Sequence, residues 1–343
     1  MALSGFRNFK KKGLEFSEKT TVIVGPNASG KTNILESLFL LSTGKSFKAK
    51  IEEEMVNYDK DLGRIKGKLL SGLTLEAVLT RGLIDIGSVH PEKVARKKLL
   101  VNGVPKRLLD FAGNFKIVLF GPWDLDLVTE SPSLRRKFLD TVLSQVDREY
   151  RRSVLSYEKG LRQRNRLLWR IREEGLSRAQ LTFWNQLLIK NGDYITQKRQ
   201  EFIEFANSQP SLDDQKFHLE YDRSVISEGR LEQYKDEEVA AATTLVGPHR
   251  DDFVFLEGKR SLGSYGSRGE QRMGVLWLKM AELNFIEEKT SERPTLLLDE
   301  IFSELDHAHR GVVMGIAKKQ QTIITTADEH FLKNLRPDVK IQL

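Results

Sequence analysis

The segment GPNASGKT, Gly25 to Thr32, constrains this chain more than any other. It follows a β-rich run, TTVIVG (Thr20 to Gly25), and precedes a stretch with Ile34, Leu35, Leu38 and Leu41 at helical spacing. Strand, glycine-bearing turn and helix in that order make a phosphate cradle. Backbone N–H groups close around phosphate oxygens, and the helix start adds its partial positive charge. The pattern predicts that Gly25, Pro26, Asn27, Ala28, Ser29, Gly30 and Asn33 form the cradle. Lys31 would reach the β and γ phosphates, and the Thr32 hydroxyl would bind Mg²⁺. The expected ligands are ATP and Mg²⁺.

A second segment supplies the acids that such a cradle needs. TLLLDE, Thr295 to Glu300, is an apolar strand that ends in two adjacent carboxylates. Neighbouring strand residues point to opposite sides, so Asp299 can face the Mg²⁺ shell while Glu300 faces an attacking water. That division suits ATP hydrolysis, with Glu300 and Lys31 as its catalytic residues.

A third segment, SYGSRGEQRM (Ser264 to Met273), reads as a capping box, with Ser267 at the N-cap and Glu270 three residues on. Met273, Leu276, Trp277 and Met280 form the apolar stripe of the helix that follows. A helix start bearing a serine hydroxyl and a glycine is also a place where a phosphate can be sensed.

The rest of the chain is organised around these segments. Residues 63 to 82 alternate as strands, Asn102-Gly103 marks a hairpin, and FKIVLF (115 to 120) is a buried strand stopped by Gly121-Pro122. From about Ser133 to Asn207 there is no proline and little glycine, which predicts two or three long helices. FHLEYDRSV (Phe217 to Val225) alternates as a strand, and GPHRDDFVFLEG suggests a hairpin returning the chain to the β-containing lobe. The fold expected is α/β: a P-loop ATPase head with a β-rich lobe and an inserted helical arm. Residues 1–124 and 241–343 are assigned to a discontinuous ATPase domain and 125–240 to the arm.

Charge points to a polyanionic partner. The chain carries a net +7, and residues 132 to 200 alone hold 16 Lys/Arg against 7 Asp/Glu. Within that segment Arg162, Arg166 and Arg170 recur every four residues, one turn beyond Lys159, and so share one helix face. No module that reads base edges is present, so duplex DNA would be bound through its backbone, salt-sensitively and with little sequence preference. Zero cysteines exclude disulfides and thiolate metal sites and fit a reducing interior. No apolar run approaches the length of a membrane span and no charged-then-apolar leader follows Met1, so a cytoplasmic, nucleoid-associated protein with no membrane partner is expected.

The order Gly25 to Thr32, Ser267 to Gln271, Asp299-Glu300 and Ser303 to Asp306 resembles the ATP-binding-cassette ATPases. In that family two heads bind face to face, each cradle being covered by the signature turn of the other head. The resemblance implies an ATP-dependent homodimer in which Ser267, Gly269 and Gln271 meet the partner's nucleotide and Asp306 lies in the loop that communicates across the dimer. Within these ATPases the chain is similar to the RecF family of bacterial recombination mediators, which have SMC-like heads. FRNF (Phe6 to Phe9), LFGPWDLDLVTESPSLRRKFLD (Leu119 to Asp140), YEKGLRQRNRLL (Tyr157 to Leu168) and LVGPHRDDF (Leu245 to Phe253) carry that similarity nearly end to end.

The family resemblance implies DNA repair, replication and recombination during the SOS response to DNA damage. It also implies binding at junctions of single and double strands, and work with RecR and RecO to load the RecA recombinase. Two departures stand out: Trp123 occupies a position where the family pattern has an acid, and Thr326 or Ala327 stands where transporter ATPases have a switch histidine. A first strand before Phe6 is expected to be clipped. A transporter motor would also need a surface for a membrane subunit and a much shorter gap between cradle and signature. A chromosome-organising SMC protein would need hundreds of heptad residues where this chain has 133 to 207.

Overall fold

The computed structural model describes residues 1–84, 92–304, 307–328, 330 and 337–343. The chain divides into two compact units, Met1–Pro122 with Ile286–Leu343, and Trp123–Phe285. Residues 241–285, assigned from sequence to the ATPase domain, group with the second unit.

Among its described residues the first unit holds two large sheets, besides the short ribbon of Leu83–Ile84 with Glu92–Lys93. One is antiparallel, with strands ordered Phe9–Gly13, Ala2–Phe6, Leu62–Lys68, Thr74–Thr80, Lys97–Val101 and Val104–Lys106. A strand precedes the FRNF turn at Ala2–Phe6, paired on both edges. The other is parallel, ordered Ile117–Phe120, Thr295–Asp299, Thr322–Thr326, Thr20–Val24 and Val339–Gln342. Helix Lys31–Thr43 is buried between them. Ile34, Leu35, Leu38, Phe39 and Leu41 share one core with Leu3, Phe6, Ile65, Leu75 and Leu79 of the first sheet and with Ile23, Ile117, Leu297 and Ile323 of the second. A helix covered on both sides buries its side chains nearly all round, and the polar ones are matched: Glu36 by Arg7, Ser37 by the Ile34 carbonyl and Ser42 by the Phe115 carbonyl.

Parallel pairing brings the carboxyl ends of three strands level. Asp299 lies abreast of Thr325, and Thr326 abreast of Val24. Ligands of such sheets bind beyond the carboxyl ends of their strands.

The second unit is built on helices Pro132–Val146, Arg148–Glu174 and Thr182–Asn207. The long middle helix starts at Asp147, whose carboxylate accepts the Tyr150 N–H at 2.9 Å, and stops at Gly175 in the left-handed region. Gly160 lets it approach the third helix closely: a Cβ there would come within 2.6 Å of Leu187. The expected hairpin exists at Asp252–Glu257 and Arg260–Ser261, but it forms a separate three-stranded sheet with Phe217–Asp222 instead of rejoining the β lobe. Of helix Arg268–Thr290, residues 268–285 group with this unit.

Candidate nucleotide site

The cradle is shaped by backbone that ordinary residues avoid. Gly30, the residue before the helix, has φ 105°, and Ala28 has φ 67°. A Cβ on Gly30 would sit 2.6–2.7 Å from the Asn8 side-chain atoms and the Phe9 ring, so glycine is required twice over. Asn8 explains part of the FRNF segment. Its amide donates to the Ser29 carbonyl at 3.0 Å and accepts from the Asn33 amide at 2.9 Å, tying the turn to the antiparallel sheet. Beside it, Arg7 makes a two-pronged pair with Glu36, whose side chain is fully buried in the cradle helix. Neither role was visible in the linear sequence, because their partners stand 21 to 29 residues away.

Two observations fit a phosphate here. No side chain caps the helix start at Gly30, so its first N–H groups remain available. The Ser29 hydroxyl is buried without any hydrogen-bond partner, and a Cβ on Gly25 would press within 2.8 Å of it. An orphaned hydroxyl in the turn and an uncapped helix start form a donor set suited to an anion.

Lys31 is 5% exposed and fully engaged. Its ammonium donates to the Gly25 and Pro26 carbonyls at 2.6 and 3.0 Å and lies 3.0 Å from a Glu300 oxygen. The other Glu300 oxygen accepts the Ala327 N–H at 3.0 Å. The position where a transporter ATPase carries a histidine thus contributes a backbone donor. Glu300 has φ 52°, a strained conformation for a residue with a side chain, held by bonds from its N–H to the Thr325 carbonyl and hydroxyl, each 3.2 Å.

Asp299 faces the other way, as strand alternation predicts. One carboxylate oxygen accepts the Thr32 hydroxyl at 2.8 Å and the other the Thr325 hydroxyl at 2.5 Å. Burial pushes its pKa up, Glu300 adds to the rise, and the two hydroxyls and Lys31 oppose it. A hydroxyl and a carboxylate in contact beside a phosphate cradle are hard oxygen donors of the kind that Mg²⁺ takes.

The turn at Ser267 belongs to the second unit. Both arms of its capping box are formed: the Ser267 N–H donates to Glu270 at 2.6 Å and the Glu270 N–H to the Ser267 hydroxyl at 3.3 Å. The Arg260 guanidinium and the Ser267 donors hold the Glu270 carboxyl down to about 2. Ser267, Arg268 and Gly269 are exposed, and a Cβ on Gly269 would meet nothing closer than 3.9 Å. Gln271 is turned inward instead, its amide donating to the Leu262 and Gly266 carbonyls at 3.0 and 3.2 Å. It shapes the turn in place of reaching out from it. Asp306 lies outside the described residues.

Trp123 is half-exposed, while the acid of its loop, Asp124, is buried against Lys279 at 3.1 Å. In the long helix, Arg162 and Arg166 are exposed and Arg170 is paired with Glu174 at 2.8 Å. Arg164, between them, points inward and binds Glu238, Asn185 and Thr244. GPHRDD proves to be a structural joint. Asp251 accepts from Arg199, Tyr221 and Ser224, and Asp252 takes a two-pronged pair from Arg135. Burial lowers the His249 pKa to about 4. Its neutral ring therefore donates from Nε2 to the Thr244 carbonyl at 3.0 Å and accepts the Tyr157 hydroxyl at Nδ1, 2.8 Å away.

A cradle, a divided acid pair and a capped signature turn on this fold define an ABC-type ATPase head of the kind shared with SMC proteins. The family described as "RecF/RecN/SMC N terminal domain" matches residues 1–74. The head domain of Smc from Pyrococcus furiosus, 18% identical, superposes with a TM-score of 0.50 over 99% of this chain and 92% of its own, a likeness of fold. The DNA replication and repair protein RecF of Lachnoclostridium phytofermentans is 35% identical over 97% of this chain and 94% of its own length. A solved structure of the recombination mediator protein RecF with ATP in the RecFOR pathway is 30% identical, with a TM-score of 0.88 over 99% of this chain and 94% of that one. The chain belongs to the RecF family. Among the described residues no helix is long and apolar enough to cross a membrane.

Proposed function

We propose that this chain is an ATP-gated DNA clamp of recombinational repair and replication. ATP with Mg²⁺ joins two heads, the dimer grips duplex DNA near single-strand gaps, and slow, DNA-stimulated hydrolysis releases it. The observation that carries this reading is the cluster of Lys31 and Thr32, at the start of the cradle helix, with Asp299 and Glu300, at the carboxyl end of a strand of the parallel sheet, with contacts of 2.8 and 3.0 Å among them.

Each residue has a task in that reaction. Cradle N–H groups and Lys31 hold the phosphates and offset the charge that develops on them. Thr32 and Asp299 would hold Mg²⁺, which when bound polarises the transferred phosphoryl group. Glu300, released from Lys31, accepts a proton from the attacking water. Ser267 and Gly269 of the partner copy cover the γ-phosphate, so the closed site requires two heads. Arg162 and Arg166 track the DNA backbone. By family relationship RecR, RecO and RecA are the expected protein partners.

Sedimentation velocity with Mg²⁺ and ATP, with and without duplex DNA, tests the reading. A dimer that requires ATP supports it, and a monomer under every condition rejects it.

A further inference from the structure

The solvent face of helix Arg148–Glu174 carries more than arginine. Leu155, Arg162, Arg166 and Trp169 are spaced by seven, four and three residues, which puts them on one side of the helix. Gly160, Arg164, Leu168 and Ile171 form the opposite, buried side. Trp169 is 47% exposed, the most exposed of the chain's four tryptophans, and lies near the helix end that Gly175 terminates. Arg166 stands one turn before it and Arg162 two, and among the described residues neither guanidinium is paired with an acid. Arg170, which is paired, lies off this line. A lone exposed tryptophan is unremarkable. One in line with two uncommitted guanidinium groups presents a flat π face where two phosphates would be held, and every unpaired base has a face to match it.

We infer that Trp169 is a stacking platform for an unpaired base, with Arg162 and Arg166 holding the neighbouring phosphates, so that this face selects DNA with a single-stranded flank over blunt duplex. The inference rests on the reading of the arm as DNA-binding. The rise of 1.5 Å per residue sets Trp169 about 10 Å beyond Arg162 along the helix. A protein partner would find charge here that it must neutralise, whereas a nucleic acid supplies the opposite charge and the stacking surface together.

The test uses the full chain with Mg²⁺ and ATP, and fluorescence anisotropy on blunt duplex and on duplex with a single-stranded flank. Trp169→Ala should bind the flanked DNA about 5- to 150-fold more weakly, as loss of one base–aromatic stack predicts, and blunt duplex unchanged. Trp169→Phe should keep most of the affinity, and quenching of tryptophan emission by flanked DNA should be lost in both variants. Equal affinity of wild type and Trp169→Ala for flanked DNA would overturn the stacking role, as would a parallel loss on both DNAs. Loss of ATP-dependent dimerisation in Trp169→Ala would assign the face to a protein contact and overturn it too. Absence of any DNA binding by wild type would remove the clamp reading itself, a different failure from the others.

Discussion

Lys31 and Glu300 are paired at 3.0 Å, so the ammonium expected at the phosphates and the carboxylate expected at the water hold each other. On the proposed reading, nucleotide entry replaces three contacts of Lys31 and so breaks its pair with Glu300. Glu300→Gln preserves shape and the bond from Ala327 but removes the base. Hydrolysis should fall by about 10²–10⁴-fold with ATP binding retained, measured by single-turnover assay, and the ATP-bound dimer should persist. Lys31→Ala should lose nucleotide binding itself, measured by titration with a fluorescent ATP analogue. Loss of ATP binding in Glu300→Gln would contradict this division.

Asp299 gives a pH dependence with a defined sign. Burial raises its pKa in the folded protein, so the folded state holds a proton that the unfolded state has already released as pH rises. Without nucleotide, this residue favours folding at pH values below its usual range and loses that contribution as pH climbs through the raised pKa. Asp299→Asn removes the titration. The variant's melting temperature relative to wild type should therefore increase between pH 4 and pH 7 in the absence of Mg²⁺ and ATP. Mg²⁺-dependent stabilisation by ATP should vanish in the same variant. A wild-type advantage that grows with pH would refute the assignment.

Ser267 is exposed and its neighbours leave room, so Ser267→Arg should fold. Losing the hydroxyl cap should cost about 1 kcal/mol, read by urea denaturation. Monomeric ATP binding should be unchanged while ATP-dependent dimerisation disappears in sedimentation velocity. A normal dimer would leave SYGSRGEQRM as a helix cap alone.

The parts legible in the sequence were those written locally. The cradle between strand and helix, the strand ending in Asp299 and Glu300, and the box of Ser267 with Glu270 all depend on residues within a few positions of each other, and the structure forms each. What stayed hidden depends on distant partners. Nothing near Asn8 announces Ser29 and Asn33, and nothing near Asp251 announces Arg199 and Tyr221. The hairpin after GPHRDD was readable as strands, but its sheet was not, because alternation fixes a face without naming the neighbour. Gln271 is a related case: the family pattern puts it toward a partner's nucleotide, and its amide donates to carbonyls of its own turn.

The arginines of the arm separate binding from folding. Arg162 and Arg166 are exposed, so alanine at either should leave the thermal midpoint nearly unchanged. If each touches one phosphate, each substitution should lower the slope of log affinity for duplex DNA against log salt by about 1. Arg164 lies between them in sequence and belongs to another class. It is 2% exposed and its partner Glu238 is fully buried, 2.6 Å away. Arg164→Ala would leave that carboxylate without a cation, at a cost of about 3–5 kcal/mol. Equilibrium unfolding should show the loss, while the salt slope of whatever protein remains folded should match wild type. A salt slope altered by Arg164→Ala and untouched by Arg162→Ala would invert the assignment and place the DNA on the other side of the helix.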